Sequence, residues 1–446
     1  MRILFISLGC DKNLVDSEVM LGLIREKNYE ITNNEKEADI VVVNTCCFIN
    51  DAKEESIETI LEMAELKKTA NLKALIVTGC LAQRYREEIE EEIPEVDAVV
   101  GTTGYERIGE VIEKALEGKK TESFQDLSYL PKGNGKRINT TGGYFSYLKI
   151  AEGCDKHCTY CIIPSIRGNY RSVPMESLIE EATILAESGI KELMLVAQET
   201  TLYGVDIYGK KMLSALLKEL CKIPKLEWIR ILYCYPEEIT DELIQTIKEE
   251  DKICNYLDIP IQHSSDSMLK RMGRRTSRQD LINIVEKLRK EIPNIALRTT
   301  LITGFPGETE TDQEELLEFV NQMEFDRLGV FTYSPEEGTP AAIMENQIPE
   351  EIKIERQQQL MELQQEIAFE KAERMLSQKV RVMIEGKLPE DGIYIGRTYK
   401  DAPNVDGLIF VNTKKELLSG DMVNVFITEA RDYDLMGEMI EEQEEI

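Results

Sequence analysis

Histidine is nearly absent from this chain: its 446 residues include only two, His157 and His263. That scarcity excludes the imidazole-rich sites in which zinc and copper are usually held. No apolar run approaches the roughly 20 residues needed to span a bilayer. The early hydrophobic stretch MRILFISLG is interrupted at once by Asp11 and Lys12, with no small-residue cleavage site after it. It is expected to be a first strand and not a signal peptide, so a cytoplasmic protein without membrane contact is expected. Basic residues are also in short supply, 53 against 83 acidic, for a formal net charge of −30. A protein that grips a phosphate backbone usually shows a basic face, so a basic protein is the more natural partner here than bare RNA. Acidity that serves solubility alone gives the same count.

Cysteine, by contrast, is plentiful, with ten in the chain. A reducing compartment disfavours disulfides, which turns the reading toward metal binding or catalysis. The length exceeds what one hydrophobic core serves, so two or three domains are expected.

The first 118 residues alternate strand-like runs (RILFISLGC, ADIVVVNTC, KALIVTGC, DAVVGT) with amphipathic stretches at Asp16 to Glu26 and Asp51 to Lys67. In the second stretch Ile57, Ile60, Leu61 and Ala64 recur at helical spacing. This pattern predicts a doubly wound parallel α/β domain. Residues 119–142, polar and rich in Gly, Lys and Thr, read as a linker. Six further strand-like runs start between residues 144 and 327, with room for a helix in each gap. They predict a partial (β/α)6 barrel over 143–348, with functional residues at the carboxyl ends of its strands. A connecting helix is expected over 349–378, with Ile352, Leu360, Leu363, Ile367 and Ala368 on its apolar side. Short β-rich pieces punctuated by Gly, Pro and Asp then predict a small five-stranded antiparallel barrel over 379–440. An acidic tail, 441–446, closes the chain.

Cys154, Cys158 and Cys161 lie directly after the first barrel strand, in IAEGCDKHCTYC. Three thiolates at this spacing can wrap one face of a cubane 4Fe–4S cluster. With no fourth local cysteine, one iron keeps an open position, by the logic that separates three-ligand catalytic zinc from four-ligand structural zinc. A zinc knuckle with a distant fourth ligand is the competing reading; zinc pairs usually come as Cys-x2-Cys with a matching partner pair.

This Cys-x3-Cys-x2-Cys loop after the first strand of a partial barrel resembles the radical S-adenosylmethionine superfamily. The resemblance implies that the open iron binds the amino and carboxylate groups of S-adenosylmethionine, and that reductive cleavage yields a 5′-deoxyadenosyl radical. Such chemistry suits an unactivated C–H bond, which no side-chain base can attack.

Cys10, Cys46 and Cys80 form a second constellation. Each ends a predicted parallel strand, where ligands bind in open α/β sheets; three separate buried cysteines acting as small hydrophobes are the alternative. Cys47, adjacent to Cys46, is directed to the opposite side if the strand continues and is not expected to be a ligand. Cys221, Cys234 and Cys254 are expected in the core. Two cysteine triads on an α/β domain and a partial barrel, followed by a small TRAM/OB-like barrel, resemble the methylthiotransferases over essentially the whole chain. The resemblance implies a second 4Fe–4S cluster on Cys10, Cys46 and Cys80 that handles the sulfur, two roles for S-adenosylmethionine, an electron donor and a sulfur donor.

SLGCDKNLVDSE, CIIPSIRGNYRS and YKDAPNVDG look like the branch that modifies an aspartate of the twelfth small-subunit ribosomal protein, by adding a methylthio group at its β-carbon. The branch that modifies a tRNA adenosine is the nearest alternative. A non-catalytic iron–sulfur electron-transfer protein is the alternative of another class. From residue 372 onward there are 9 basic and 16 acidic residues, a net −7. That balance suits a basic ribosomal protein and not a phosphate backbone; Asp401 and Asp406 are expected to contribute to the attraction.

Other motifs carry less. Gly204-x4-Gly209-Lys210-Lys211 imitates a P-loop but has Lys211 where Ser or Thr is required. Gly304 and Gly307, after the fifth barrel strand, are candidates for close approach of the cofactor, or for a plain turn. Gln262 and His263 end the fourth strand and are cofactor-binding candidates at the mouth of the barrel. The basic run Lys270, Arg271, Arg274, Arg275 and Arg278 suits RNA contact or a solvated helix face.

Overall fold

The computed structural model describes residues 1–131, 137–389 and 392–441. Within 1–131, six parallel strands form one sheet: β1 (Arg2–Ser7), β2 (Glu30–Thr32), β3 (Ile40–Thr45), β4 (Ala74–Gly79), β5 (Ala98–Val100) and β6 (Thr121–Ser123). Their order is β2-β1-β3-β4-β5-β6. Every residue of β3 and β4 is buried, as the centre of a sheet covered on both faces requires. The doubly wound α/β expectation holds. The sequence pattern missed β2, which is three residues long, and β6, which falls in the segment expected to be linker.

That segment is also clamped. Arg137 donates to Glu18 Oε2 at 2.6 Å, to Glu181 Oε1 at 3.0 Å and to the Tyr147 carbonyl at 2.6 Å. Thr140 donates its backbone N–H and its hydroxyl to Glu18 Oε1. One buried carboxylate thus joins the first domain to the chain entering the second. Residues 132–136 of the expected linker lie outside the described residues.

The central sheet comprises β7 (Phe145–Lys149), then, beyond a short antiparallel ladder of β8 (Ala151–Glu152) with β9 (Arg171–Ser172), β10 (Glu192–Val196), β11 (Trp228–Ile231), β12 (Ile253–Asp258), β13 (Ala296–Thr303) and β14 (Arg327–Thr332). The six long strands are parallel and follow chain order from β7 to β14, giving the partial barrel. Alternate residues of a strand face opposite sides. Leu148, Leu193, Leu195, Ile229, Ile231 and Leu257 pack with the helices. Phe145, Met194, Val196, Trp228 and Tyr256 share a second cluster with Met383 and Ala402 from the end of the chain.

The C-terminal strands β15 (Lys379–Lys387), β16 (Ile393–Thr398), β17 (Ile409–Asn412), β18 (Met422–Arg431) and β19 (Asp434–Met439) close a barrel in the order β15-β16-β17-β19-β18. Four of its five pairings are antiparallel, but β17 and β19 run parallel. The expectation of a wholly antiparallel barrel is corrected in that respect: closure brings together two strands separated in sequence by β18.

The connecting helix spans Glu350–Glu373. It buries Leu360, Ile367 and Ala368 as expected, while Ile352 stays exposed. Lys353 and Gln364 are buried in addition, because each donates to a strand-end carbonyl: Lys353 Nζ to Tyr333 at 2.8 Å and Gln364 Nε2 to Phe325 at 2.9 Å. On the helix Asn50–Thr69, Ile60 and Ala64 are buried but Ile57 and Leu61 are exposed, so half of the expected apolar stripe faces outward. Of the acidic tail, residues 442–446 lie outside the described residues.

Asp401 and Asp406 are not surface charges. Asp401 is ion-paired with Arg327 and accepts from Thr398 Oγ1 at 2.7 Å. Asp406 accepts from Tyr256 Oη at 3.0 Å and from the Ala402 N–H at 2.8 Å, and lies 3.7 Å from Arg298. These acids dock the small barrel onto the partial barrel. Sequence charge could not reveal this, since their partners lie in strands far away in the chain.

Candidate active site

The loop 153–161 is held on both sides. At its start Gly153 N–H donates to Gln198 Oε1 at 2.8 Å, and Gln198 Nε2 donates to Glu152 Oε1 at 3.0 Å. Cys154 N–H reaches the Gly168 carbonyl at 3.1 Å, and Thr159 N–H reaches the Met272 carbonyl at 3.0 Å. Cys154 and Cys158 are buried and Cys161 is half-buried. Burial pushes the Cys154 thiol up to about 11 and the Cys161 thiol up to about 12, with the nearby Cys158 sulfur adding to both shifts. Metal binding has to supply the charge that burial withholds.

A cation stands ready beside them. Arg274 is 8% exposed, lies with its guanidinium carbon 4.3 Å from the Tyr235 ring centroid and directs Nη1 to Cys158 Sγ at 3.9 Å. Its Nη2 donates to the Pro260 carbonyl at 2.7 Å, while its Nε has no partner among the described residues. This member of the basic run is therefore turned inward, and Arg271 and Arg278 donate to the carbonyls of Pro306 and Glu315. A nucleic-acid face loses three of its five cations.

Sequence reasoning also passed over Glu199, although it directly follows the strand-like run ELMLVAQ, where barrel function concentrates. Glu199 is fully buried, and burial raises its carboxyl to about 7. Oε1 accepts from the Thr201 N–H at 2.9 Å; Oε2 has no hydrogen-bond partner among the described residues and lies 3.9 Å from Lys156 Nζ. A buried, unsatisfied carboxylate oxygen beside the cysteine loop is suited to a cationic ligand group.

The second triad meets at the carboxyl ends of β1, β3 and β4. Cys10 precedes the helix Asp11–Glu26, Cys46 follows β3, and Cys80 opens the helix Cys80–Arg84. Gly9, at φ 86°, is packed so closely that a Cβ there would lie 2.9 Å from Cys46 Sγ, so only glycine brings Cys10 beside Cys46. Burial raises the Cys46 and Cys80 thiols. Arg167 Nη2 donates to Cys80 Sγ at 3.4 Å. Cys47 is wholly buried within the apolar cluster of Val77 and Ile60, and Cys234 and Cys254 are core residues while Cys221 is half-buried.

Among the described residues, no three histidine, cysteine or carboxylate side chains close in as they would around a single metal ion. A four-iron cubane is wider than one ion, and its thiolates stand correspondingly farther apart. Each triad has a buried arginine at one of its sulfurs, a charge suited to a negatively charged cluster.

The other candidates are explained by packing. His263 is fully buried, and its Nδ1 accepts the N–H groups of Ser264 and Ser265, each at 2.9 Å. Its proton is therefore on Nε2, 3.8 Å from Glu308 Oε2; the ring fixes a loop. Gln262 adopts φ 72° and exchanges backbone hydrogen bonds with Thr300 and Ile302. A Cβ on Gly304 would meet Lys353, and one on Gly307 would meet Arg271. Both also hold a positive φ, 69° and 81°, which is what calls for glycine at these two positions.

Comparison with known proteins agrees with this architecture. Residues 2–101 match the uncharacterized protein family UPF0004, residues 148–320 the radical SAM superfamily and residues 378–440 the TRAM domain. A structural neighbour is the radical S-adenosylmethionine methyltransferase TsrM from Kitasatospora setae, with cobalamin and a [4Fe-4S] cluster bound. It has TM-score 0.56 at 15% identity, covering 77% of each chain, and supports the fold. The family matches make S-adenosylmethionine and 4Fe–4S clusters the cofactors of this enzyme. The ribosomal protein uS12 methylthiotransferase RimO of Lachnoclostridium phytofermentans is 70% identical over 98% of this chain and 99% of its own length. That of Clostridioides difficile is 50% identical over 99% of each. With such relatives along its whole length, the chain belongs to the RimO family of ribosomal protein uS12 methylthiotransferases.

Proposed function

We propose that this enzyme adds a methylthio group to the β-carbon of an aspartate in uS12, the twelfth small-subunit ribosomal protein. Cys154, Cys158 and Cys161 hold the cluster that binds S-adenosylmethionine, and Cys10, Cys46 and Cys80 hold the second. The observation that carries the reading is the pair of thiol triads. Each lies at strand carboxyl ends in its own domain, and each faces a buried arginine, Arg274 or Arg167. When bound, the cluster and S-adenosylmethionine supply the radical chemistry that an unactivated C–H bond requires.

The residues around the loop then do the binding. Gln198 and the Gly168 carbonyl fix its entry. Glu199 would offer its free oxygen to an N–H of the cofactor's amino group, a charge-assisted contact that replaces the unsatisfied state. Lys156 is held 3.1 Å from Glu237 and lies 3.9 Å from Glu199, so it limits the negative charge that builds up there.

The reaction consumes reducing equivalents and sulfur, so an electron donor and a sulfur donor are further partners. No helix among the described residues is long and apolar enough to cross a membrane, and a ribosomal substrate puts the reaction in the cytoplasm. The test is mass spectrometry of uS12 after reaction with S-adenosylmethionine carrying a labelled methyl group. Label in a methylthio group on one aspartate is expected. Label in a tRNA adenosine, with uS12 unchanged, would sink the proposal.

A further inference from the structure

Arg167 ends a five-residue helix, Ile163–Arg167, that begins two residues after Cys161. This segment is embedded in the other domain: Ile162 and Ile166 belong to the apolar cluster of β3 and β4, and the Ile166 carbonyl accepts from Thr102 Oγ1 at 2.9 Å. The Arg167 side chain is 2% exposed. Nη2 donates to Cys80 Sγ at 3.4 Å and to Asn13 Oδ1 at 3.1 Å; Nη1 donates to Asp16 Oδ2 at 2.6 Å and to Glu152 Oε2 at 3.3 Å. One guanidinium therefore touches a ligand of one cysteine triad while its backbone continues the loop of the other.

We infer that Arg167 is the positioning residue of the second cluster: its N–H bond to the Cys80 sulfur sets that cluster's reduction potential and its placement relative to the radical cluster. The inference rests on reading Cys10, Cys46 and Cys80 as cluster ligands. Hydrogen bonds to ligand sulfurs and nearby charge are levers on an iron–sulfur potential. Both act in the same direction here, because a donor and a positive charge favour the more negative, reduced state. The surrounding charges make the lever adjustable. Asp16 and Glu152 against Lys149 and Arg167 balance to zero, so removing either sign leaves an uncompensated charge beside Cys80. Lysine cannot reproduce the arrangement, since a point ammonium lacks the fork that reaches Cys80, Asn13 and Asp16 together.

The experiment is a redox titration followed by electron paramagnetic resonance in full-length Cys154→Ala protein, where only the second cluster remains. Adding Arg167→Gln is expected to lower the midpoint. At the potential where the Cys154→Ala protein is half reduced, the reduced-to-oxidised ratio falls about tenfold, roughly 59 mV for a one-electron couple. Asp16→Asn is expected to move the midpoint upward, a reversal that loss of a merely structural salt bridge does not produce. An unchanged midpoint in Arg167→Gln with iron content retained would overturn the inference. If that variant does not fold, Asp16→Asn decides, and a midpoint that stays or falls would overturn it as well. Should Cys80→Ala retain the iron of both clusters, Cys80 is no ligand, and the underlying reading fails with the inference.

Discussion

Arg397 and Glu192 are 205 residues apart in sequence and meet at 2.6 Å, with neither side chain exposed. Arg230 donates to the same carboxylate at 2.8 Å, and Arg397 Nη1 also holds the Asp401 carbonyl at 2.8 Å. The glutamate begins β10 of the partial barrel and Arg397 lies on β16, so one acid bonds the two domains. Breaking a buried pair from one side strands its partners. Glu192→Ala should therefore cost about 3–5 kcal/mol, visible as a lower midpoint in chemical denaturation. A loss below about 1 kcal/mol would contradict this arrangement.

The same interface changes what charge reversal at Asp406 does. A surface charge would mainly alter the association rate of a basic partner. Buried between Tyr256, the Ala402 N–H and Arg298, Asp406 instead reports on docking. Asp406→Lys should destabilise the whole protein, and its uS12 modification should fall only as far as the folded fraction falls, measured by circular dichroism beside the activity assay.

The layout of the domains was legible because each has its own period. Continuous Val and Ile runs mark central parallel strands, helical stripes mark their covers, and short Gly-punctuated pieces mark the small barrel. Strand ends followed from the runs, so Cys10, Cys46, Cys80 and the 154–161 loop could be placed on them. What stayed hidden depends on partners distant in the chain. Arg167, Arg274, Asp401 and Asp406 look like surface charges until the fold brings Cys80, Cys158, Arg327 and Arg298, all distant in the chain, against them. Gln198 and Glu199 lie just beyond the end of a recognised strand, and their polarity at that place was the one unused signal.

His263 gives the fold a pH dependence. Burial holds the imidazole down at about 4, against an ordinary value of 6.5. The unfolded chain thus binds the proton first as pH falls, and stability is complete above about 6.5 and lost toward 4. The full effect is on the order of 3 kcal/mol. His263→Asn keeps an acceptor for the Ser264 and Ser265 amides without a titrating ring. Denaturation midpoints of the two proteins should diverge between pH 6.5 and 4, the wild type losing more. Parallel curves would show that this ring does not titrate on unfolding.

Glu199→Gln tests the cofactor site without touching a cysteine. The isosteric amide fills the same space beside Thr201 but carries no negative charge for the N–H groups of the cofactor's amine. S-adenosylmethionine should bind about tenfold more weakly, equivalent to roughly 1.4 kcal/mol, with iron content unchanged. Equilibrium binding to the reconstituted enzyme measures it; unaltered affinity would remove Glu199 from the site.

The cysteines themselves provide the sharpest division of labour. Two Cys-ligated 4Fe–4S clusters imply roughly eight iron atoms per chain after anaerobic reconstitution. Because the triads sit at the ends of separate sheets, losing the metal of one should spare that of the other. Cys154→Ala is expected to keep about half the iron and to abolish cleavage of S-adenosylmethionine to 5′-deoxyadenosine. Cys10→Ala, Cys46→Ala and Cys80→Ala should also keep about half, continue to form 5′-deoxyadenosine, and fail to transfer the methylthio group. The two losses therefore differ in product as well as in metal. Full methylthio transfer by all three N-terminal variants would mean that the second triad holds no working cluster. Stoichiometric zinc in protein prepared without oxygen would count against both.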